Sequence, residues 1–454
     1  MNENEATIEE AISLLDRLLG VEVRRPGTAA ALPAVIRVIE LLEPAGGKAF
    51  PVFPASYAGE GQNAPPVYDL NGIEYGPELE VVRGKDRDRH RHHIARARQC
   101  TIDSPQSQAN RTEVAFLEDE ELQSLVPQAS VNIPRADGKK KEENILCLPH
   151  RVADFRMRTS DKRDDVKAAI SDFANGDALK LLRLMPTSIV FGFWDSRGEG
   201  SQPKHARILL SRIDAFDVVP CTRHAVYSGP YSKDEFADVV LANRELAAAG
   251  QDETESETEE TKSAAAKKAF KKMAERGFTA APSTGLGGVL IQGSIERLAL
   301  ISLTDIGRLW CRDKDSETTR KLTNAARRYV FALAALAEGH PRAAGSHRLR
   351  SGCELVGMAD PVVDLRGGDS KYGDAAALKS LYVNRDTLVG VAADAKKTLG
   401  IPPNTGPFEV TRELLRADFG ATNALGPAGP APAPAGADEA DGPKRSRRAS
   451  QKTR

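Results

Sequence analysis

Apolar residues recur at helical spacing near the N-terminus, and Gly20 follows where such a helix would end. Thr7 and Glu10 stand in the arrangement of a capping box, in which each side chain caps the other residue's backbone N–H group. The segment therefore predicts a first helix. Its apolar positions are Ile8, Ile12, Leu15 and Leu19.

A second apolar segment, residues 31–42, is rich in Val, Ile and Leu. Its pattern fits a buried strand or a short helix, and periodicity alone does not separate the two. Residues 44–66 are rich in Pro and Gly, which predicts a long loop.

The remaining pattern completes an order of strand, helix, strand, strand, strand, helix, strand. This order predicts an α+β fold with an RRM-like, or ferredoxin-like, β-α-β-β-α-β core that has one extra strand and carries large insertions. The segments with strand character are 188–194, 207–213, 288–303 and 347–356, and the predicted helices are the one that begins at Ser104 and the Ala-rich segment 324–338.

Composition is typical of a globular chain, with 454 residues of which 41% are hydrophobic and 28% charged. This length allows two or three domains, or one domain with large insertions. No apolar run approaches the roughly 20 residues that span a bilayer, and the N-terminus is acidic where a signal peptide is basic. The five cysteines form no CxxC pair. We therefore expect a cytoplasmic protein without a membrane partner, a disulfide framework or a structural zinc site.

Charge is unevenly distributed, although 63 basic and 64 acidic residues leave a net charge of −1. Residues 83–98 are densely basic, residues 252–260 are acidic, and residues 444–448 form another basic run. Separated basic segments bind a polyanion locally even when the whole chain is nearly neutral. The distribution favours nucleic acid as a partner, with a solvated loop at 83–98 as the alternative.

Two segments differ in composition from the predicted core. Residues 245–276 combine an acidic half with a helix-forming half, which predicts a charged, partly helical insertion. From residue 421 the chain is rich in Ala, Pro and Gly and then basic, which predicts a disordered tail. We therefore divide the chain into one domain, 1–420, with insertions at 83–98 and 245–276, and a tail, 421–454.

The best candidate for binding chemistry is the segment 103–111, with the sequence DSPQSQANR. Ser104 is a favourable N-cap, and Pro105 suits the first helical position. A helix N-terminus offers unpaired backbone N–H groups and a partial positive charge, so it can hold a phosphate group. A capped, solvated helix start is the alternative.

Side chains of this helix fall on two neighbouring faces. Ser104, Gln108 and Arg111 are spaced to share one face, and Gln106 and Asn110 share the next. These groups form a neutral hydrogen-bonding surface with one guanidinium. That chemistry suits phosphate and ribose contacts better than catalysis, because no base or nucleophile pair lies there.

A second candidate is the segment 148–158, LPHRVADFRMR. Its three arginines suit phosphate contacts, with an ion-paired surface as the commoner alternative. His150 and Asp154 would form half of a metal or acid–base site, but a third ligand at suitable spacing is missing. The arginines are Arg151, Arg156 and Arg158.

Basic residues also accompany two later segments. Trp194 ends an apolar run, and packing in the core is favoured over stacking on a base. Lys204 and Arg207 add positive charge close by in sequence, and Arg348 and Arg350 form a further basic patch near the predicted last strand.

Catalytic motifs are missing from the sequence. Residues 284–288, TGLGG, lack the Lys and Ser/Thr of a P-loop and predict a turn before a strand. We therefore expect a protein that is not an enzyme and has no catalytic residue, metal or cofactor. The rival is a metal-dependent ribonuclease that uses the acidic or imidazole groups of Asp103, His150, Asp154 or Asp195.

Four motifs, taken in chain order, resemble a known family. We name them motif 1 (DSPQSQANRTE, 103–113), motif 2 (LPHRVADFRMRTSD, 148–161), motif 3 (IVFGFWDSRG, 189–198) and motif 4 (GSHRLRSGCELV, 345–356). They are similar to the backbone subunit of the type I-G (formerly I-U) CRISPR Cascade complex, a Cas seven-type member of the RAMP superfamily. Each motif alone is weak, whereas four in order are fairly specific.

The resemblance implies an RRM-like palm with inserted finger and thumb segments. It implies a subunit that polymerises along a CRISPR RNA (crRNA) and is not the nuclease of its complex. Base pairing between guide and target DNA then carries sequence specificity, while protein reads backbone and shape. The implied partners are crRNA, target DNA, further copies of the chain, a large subunit, a fused Cas five/six-type subunit and a recruited helicase–nuclease.

Carried over residue by residue, the helix start 104–111 would lie on the guide backbone. His150, Arg151 and Arg158 would lie in motif 2, and a disordered or finger-like insertion would fit at 83–98. An alternative within the superfamily is a subunit that is present once and caps one RNA end.

Two positions depart from the family pattern. Pro105 stands where a small aliphatic residue is more usual, and the match at Leu148 is looser. Pro105 is compatible with a first helical turn, so it does not weaken the resemblance.

Overall fold

The computed structural model describes residues 3–24, 32–59, 66–80, 90–135, 137–196, 203–227, 281–368 and 373–418. The predicted insertion 245–276 and the predicted tail 421–454 lie outside these residues.

Strands of the described residues range from two to nineteen residues in length. In chain order they are β1 (Val35–Pro44), β2 (Ser56–Tyr57), β3 (Val67–Tyr68), β4 (Leu70–Glu80), β5 (His90–Asp103), β6 (Ser130–Pro134), β7 (Lys140–Asn144), β8 (Phe193–Trp194), β9 (Lys204–His205), β10 (Leu209–Tyr227), β11 (Ala281–Ile291), β12 (Ile295–Ser302), β13 (His347–Arg350), β14 (Cys353–Gly357), β15 (Val362–Arg366) and β16 (Phe408–Glu409).

Helices pack against the sheet, and in the described part of the chain none is both long and apolar enough to cross a membrane. In chain order they are α1 (Glu3–Leu19), α2 (Pro105–Glu113), α3 (Ala115–Glu118), α4 (Glu120–Gln123), α5 (Phe155–Arg158), α6 (Arg163–Ala174), α7 (Leu179–Leu184), α8 (Thr187–Phe191), α9 (Leu303–Gly307), α10 (Ser316–Ala343), α11 (Ala375–Val383), α12 (Arg385–Leu399) and α13 (Arg412–Asp418).

The main sheet has nine strands in the order β13-β14-β1-β12-β10-β5-β4, with β11 also paired to β10 and β15 to β1. All of these pairs are antiparallel. Four strands in the order β14-β1-β12-β10, together with α2 and α10, follow the chain order strand, helix, strand, strand, helix, strand. The α+β class is therefore confirmed, and the strand order is consistent with a ferredoxin-like core.

Helix bounds follow from local capping. The Asp315 carboxylate accepts a hydrogen bond from the backbone N–H of Thr318 at 2.7 Å, which starts α10. The Asn384 side chain caps α12 in the same way at 3.1 Å, and Gly400 ends it in the left-handed conformation. The long helix α10 packs against both α12 and α1.

One face of the sheet carries two separate hydrophobic clusters. The larger cluster joins Ile36, Val38 and Ile301 of the sheet to α1, α10 and α12. The smaller cluster gathers Leu42, Ile295 and side chains from β5, β10 and β14. Because positions two apart on a strand face the same way, Glu40 lies between Val38 and Leu42 on this buried face.

A polar layer separates the two clusters. Glu40 is directly opposite Arg297 in the β1–β12 register, and both side chains are buried, at 3% and 1% exposed. On the same buried face, the apolar pairs Val38–Ala299 and Leu42–Ile295 flank this pair on either side. A buried charged rung of this kind requires full pairing, because an isolated ion in a protein interior is strongly destabilising.

Most predicted elements form with changed bounds. Residues 35–42 of the ambiguous segment belong to the strand β1, the Ala-rich segment lies within α10, and β10 and β12 cover most of the other predicted strands. Residues 347–356 form two strands, β13 and β14, instead of one, because Gly352 turns the chain with φ of 74°.

Three local predictions are wrong. The run 188–194 is not a strand: its first part is the helix α8, whose five residues are all buried, and only Phe193–Trp194 is extended. Because the whole helix is buried, it has no exposed polar face, and its sequence therefore shows no helical period. α1 already includes Glu3, so Thr7 and Glu10 lie inside the helix and do not cap it. Residues 284–288 belong to β11 and do not form a separate turn.

Residues 90–98 of the basic stretch form the first part of β5, paired with β4. This part is therefore an ordered strand of a long hairpin, and residues 81–89 lie outside the described part of the chain. The five cysteines are all unpaired, as their spacing predicts.

Candidate nucleic-acid interface

Helix α2 begins as its sequence predicts. Ser104 is extended, with ψ of 161°, and its hydroxyl accepts a hydrogen bond from the backbone N–H of Ser107 at 3.3 Å. Pro105 occupies the first helical position, where a missing N–H group is not needed. The predicted N-cap is confirmed.

A carboxylate lies at the start of this helix. Asp103 is fully buried and accepts hydrogen bonds from Gln108 Nε2 at 2.8 Å, Arg111 Nε at 3.2 Å and Arg350 Nη2 at 2.9 Å. Asp103 therefore already supplies a negative charge near the positive end of α2. The position links motif 1 to motif 4, since Arg350 belongs to the latter.

Gln108 corrects the expectation of a shared exposed face. Its side chain is only 2% exposed, donates to Asp103, and accepts from Arg297 Nε at 3.2 Å. The face that carries Gln108 therefore packs on the sheet, because the Asp103 carboxylate and the Arg297 guanidinium both require a buried partner. Gln106 and Asn110 are exposed, and Ser104 and Arg111 are partly exposed.

The polar layer continues from Gln108 into the molecule. Arg297 Nη1 donates to Glu338 at 2.6 Å and to Glu40 at 3.3 Å. Arg342 adds two hydrogen bonds of 2.6 Å to Glu338, and His347 Nε2 lies 3.1 Å from Glu40. This network joins α2, the sheet, α10 and β13 through charged hydrogen bonds.

Burial raises the pKa of Glu338, but the charges of Arg297 and Arg342 oppose it and leave the pKa at about 2. The pKa of Glu40 is lowered in the same way, by His347 and the same two arginines against the effect of burial. These carboxyl groups were not predicted. The sequence does contain a signal for this pair. In VIRVIELL and IERLALIS, Glu40 and Arg297 stand at positions where the alternation of the strand places a buried side chain.

Arg151 is buried and joins three motifs. Its side chain is 6% exposed and donates to Glu113 Oε2 at 2.9 Å, to Asn110 Oδ1 at 3.3 Å and to the carbonyl of Gly192 at 3.3 Å. Burial raises the pKa of Glu113, and the Arg151 charge opposes that rise. Arg151 therefore has its partners inside the protein, which corrects the expectation of a surface phosphate contact.

The other residues of motif 2 divide by exposure. Arg156 is held internally by Asp154 at 2.7 Å and Glu143 at 2.8 Å, with 13% of its side chain exposed. Arg158 pairs with Asp195 of motif 3 at 2.6 Å and remains partly exposed. His150 is exposed. Phe155, which the sequence did not single out, is 56% exposed beside the Arg156 guanidinium.

Trp194 lies on the surface, with 55% of its area exposed, so the expectation of core packing is wrong. It is paired with Lys204 across β8 and β9, and the Lys204 ammonium lies 5.4 Å from the centre of its ring. An exposed indole with a neighbouring cation is suited to stacking on a nucleobase. Arg207, which follows β9, is partly buried.

Motif 4 contributes two arginines with different exposure. Arg348 is exposed on β13, and Arg350 is partly buried, where it donates to the carbonyls of Phe53 and Ile102 as well as to Asp103. Arg111 Nη2 donates to the carbonyl of Leu349 at 2.7 Å. Direct contacts therefore connect all four motifs around α2.

The carboxylates of the ribonuclease alternative are each engaged by arginine. Asp103 binds two arginines, Asp154 pairs with Arg156, and Asp195 pairs with Arg158. In the described part of the chain, no group of three or more His, Cys, Asp or Glu side chains is arranged to hold a metal ion.

The fold and the site define an α+β protein with exposed cations and aromatics around a buried ion-pair network. Residues 36–220 match the model of a family described as CRISPR-associated protein GSU0053 (Cas_GSU0053). The matched segment is less than half of the chain and contains motifs 1, 2 and 3. Over these residues the chain is similar to a family of CRISPR-associated proteins. No curated protein matches the chain.

Proposed function

We propose that this chain is the crRNA-binding backbone subunit of a type I-G CRISPR Cascade complex and has no enzymatic role. The observation that carries the proposal is the meeting of all four family-like motifs around α2, although motif 1 and motif 4 are more than 200 residues apart in sequence. The match to a CRISPR-associated family and the ferredoxin-like strand order support it.

RNA contacts in this proposal come from the exposed and partly exposed polar groups. Guanidinium and ammonium groups neutralise phosphates, amides and hydroxyls bind ribose and phosphate oxygens, and Trp194 stacks on a base. Gln108, Arg151 and Arg156 instead hold this surface in place from inside. The proposed contact residues are Ser104, Gln106, Asn110, Arg111, His150, Arg158, Trp194, Lys204, Arg207, Arg348 and Arg350.

Assembly follows from the same function. Copies of the chain would repeat this surface along the guide, and the guide would pair with target DNA, so that sequence is read by base pairing. The other proposed partners are the large subunit, the fused Cas five/six-type subunit and a helicase–nuclease.

RNA binding by single variants tests the proposal. Trp194→Ala should weaken binding of labelled crRNA about 5- to 150-fold, because one lost base stack is worth about 1–3 kcal/mol. Lys204→Ala should lower the magnitude of the slope of log affinity against log salt by about 0.7, the value for one phosphate on a single strand. Fluorescence anisotropy across a salt series measures both.

Lys397→Ala is the matched control, since Lys397 is an exposed lysine on α12 and outside all four motifs. It should leave affinity and slope unchanged. Equal affinity and slope in the wild type and all three variants would contradict the contact assignment.

The same protein preparations distinguish the two alternative functions, a ribonuclease and an RNA-end-capping subunit. Magnesium-dependent RNA cleavage that is lost in Asp103→Asn would favour the ribonuclease. A native mass with one copy of the chain per crRNA would favour the end-capping subunit, whereas the proposal expects several copies.

A further inference from the structure

Arg207 has a partly buried guanidinium that pairs with no residue in the described part of the chain. Its Nε is buried without a hydrogen-bond partner, and no described residue pairs with it or accepts a hydrogen bond from it. A partly buried cation without a partner destabilises the folded chain unless something outside the chain compensates it. A lone arginine of this kind therefore points to an anion that the protein binds.

Other arginines show that this situation is unusual in the described part of the chain. Three more have a buried Nε without a hydrogen-bond partner, but each forms an ion pair with a carboxylate. Arg207 is different because no described carboxylate forms an ion pair with it. The three ion pairs are Arg37–Asp364, Arg212–Asp214 and Arg328–Asp16.

Arg151 is a second positive charge that acts on Arg207. Burial and the positive charge of Arg151 both lower the pKa of Arg207. Arg151 pairs with Glu113 at 2.9 Å, whereas no described carboxylate pairs with Arg207. The described residues therefore supply no counter-ion for Arg207.

Gly192 is close to the side chain of Arg151 and to the backbone of Arg207. Arg151 Nη1 donates to the Gly192 carbonyl at 3.3 Å, and a side chain at Gly192 would lie 3.0 Å from the backbone nitrogen of Arg207. Arg151 thus fixes the segment against which the Arg207 backbone lies. The exposed Trp194 and Lys204 are on the adjoining β8–β9 pair.

We propose that Arg207 binds one phosphate group, a phosphodiester of the bound RNA, and that Arg151 is a positioning residue for it. The choice of RNA rests on the proposed function. A guanidinium fork matches two phosphate oxygens, and a phosphodiester next to Trp194 would let the adjoining base stack on the indole.

The test compares stability with binding in Arg207→Gln, which keeps a polar side chain and removes the charge. A ligand-binding Arg207 predicts an unchanged or raised melting temperature without RNA, because an uncompensated charge is removed. It also predicts about tenfold weaker crRNA binding and a salt slope smaller in magnitude by about 0.7. Arg308→Gln, at an exposed arginine that pairs with Asp305, should change neither.

Two results would overturn the inference. A lower melting temperature of Arg207→Gln, with an unchanged salt slope, would make Arg207 a structural residue. An unchanged melting temperature with wild-type affinity and slope would remove it from the phosphate contacts.

Failure of the proposed function can be distinguished from failure of the anion site at Arg207. If the wild type binds no RNA, the melting temperature in inorganic phosphate and in chloride at equal ionic strength decides the anion site. Phosphate stabilisation of the wild type that is missing in Arg207→Gln supports an anion site filled by free phosphate. Equal behaviour of the two proteins overturns it.

Discussion

Arg151 has a left-handed backbone conformation, with φ of 52°, which costs a residue with a Cβ about 1–2 kcal/mol. The conformation persists because three internal acceptors hold the guanidinium, the nearest at 2.9 Å. The strain and the buried pair with Glu113 point to a structural role at the junction of motifs 1, 2 and 3.

Arg151→Ala should therefore lower the free energy of unfolding by about 3 kcal/mol, because it leaves the Glu113 carboxyl buried without its cation. Urea unfolding measures this loss. Arg366→Ala is the control, since Arg366 forms an exposed ion pair and should matter little. Wild-type stability together with loss of crRNA binding would instead place Arg151 in direct contact with RNA.

At the scale of elements, local chemistry and distant contacts differ in what the sequence reveals. The start of α2 was predictable because Ser104 and Pro105 act within one helical turn. The burial of Gln108 was not, because it depends on Arg297, which is 189 residues away. The helix α8 was mistaken for a strand because every one of its residues is buried, which leaves no polar face to show a period.

Trp194 is a second residue whose burial the sequence pattern does not predict correctly. Its neighbours in sequence are buried, yet Gly192 turns the chain with φ of 76° and ψ of 160°, and the following strand carries the indole to the surface. A pattern of apolar residues cannot report such a turn.

Gly192→Ala should displace the β8–β9 pair. The new Cβ would lie 2.8 Å from the carbonyl oxygen of His205, and the positive φ adds strain of about 1–3 kcal/mol. Gly345→Ala is a matched control, because Gly345 also has a positive φ but has open space around it. We expect a larger fall in melting temperature and in crRNA affinity for Gly192→Ala. Equal losses in the two variants would show that the close approach to His205 is unimportant.

Across the whole molecule, the polar layer ties the sheet to α10 and to the candidate interface. Glu338 is fully buried and bonded to Arg297, Arg342 and the Tyr382 hydroxyl. Its pKa of about 2 lies below the ordinary value of 4.5. A carboxyl with a lowered pKa in the folded state stabilises the protein above its unfolded pKa and loses that contribution as the pH falls.

Stability should therefore fall as the pH decreases from about 4.5 towards 2. Glu338→Gln should be less stable than the wild type at pH 6 by about 3–5 kcal/mol, because Arg297 loses a buried partner. It should also show a flatter pH dependence in the acid window, since the titrating group is gone. Urea unfolding at several pH values measures both, and an identical acid slope in the two proteins would contradict the role of Glu338.

The Glu40–Arg297 rung has a consequence for how the interior tolerates change. It divides the apolar interior into two compartments that do not share side chains, one beneath α10 and one beneath β5, β10 and β14. A methyl group lost on one side leaves a void that the other side cannot collapse to fill, because charged groups with fixed partners stand between them. The helical half and the hairpin half can therefore accept substitutions separately, while the rung itself tolerates almost none.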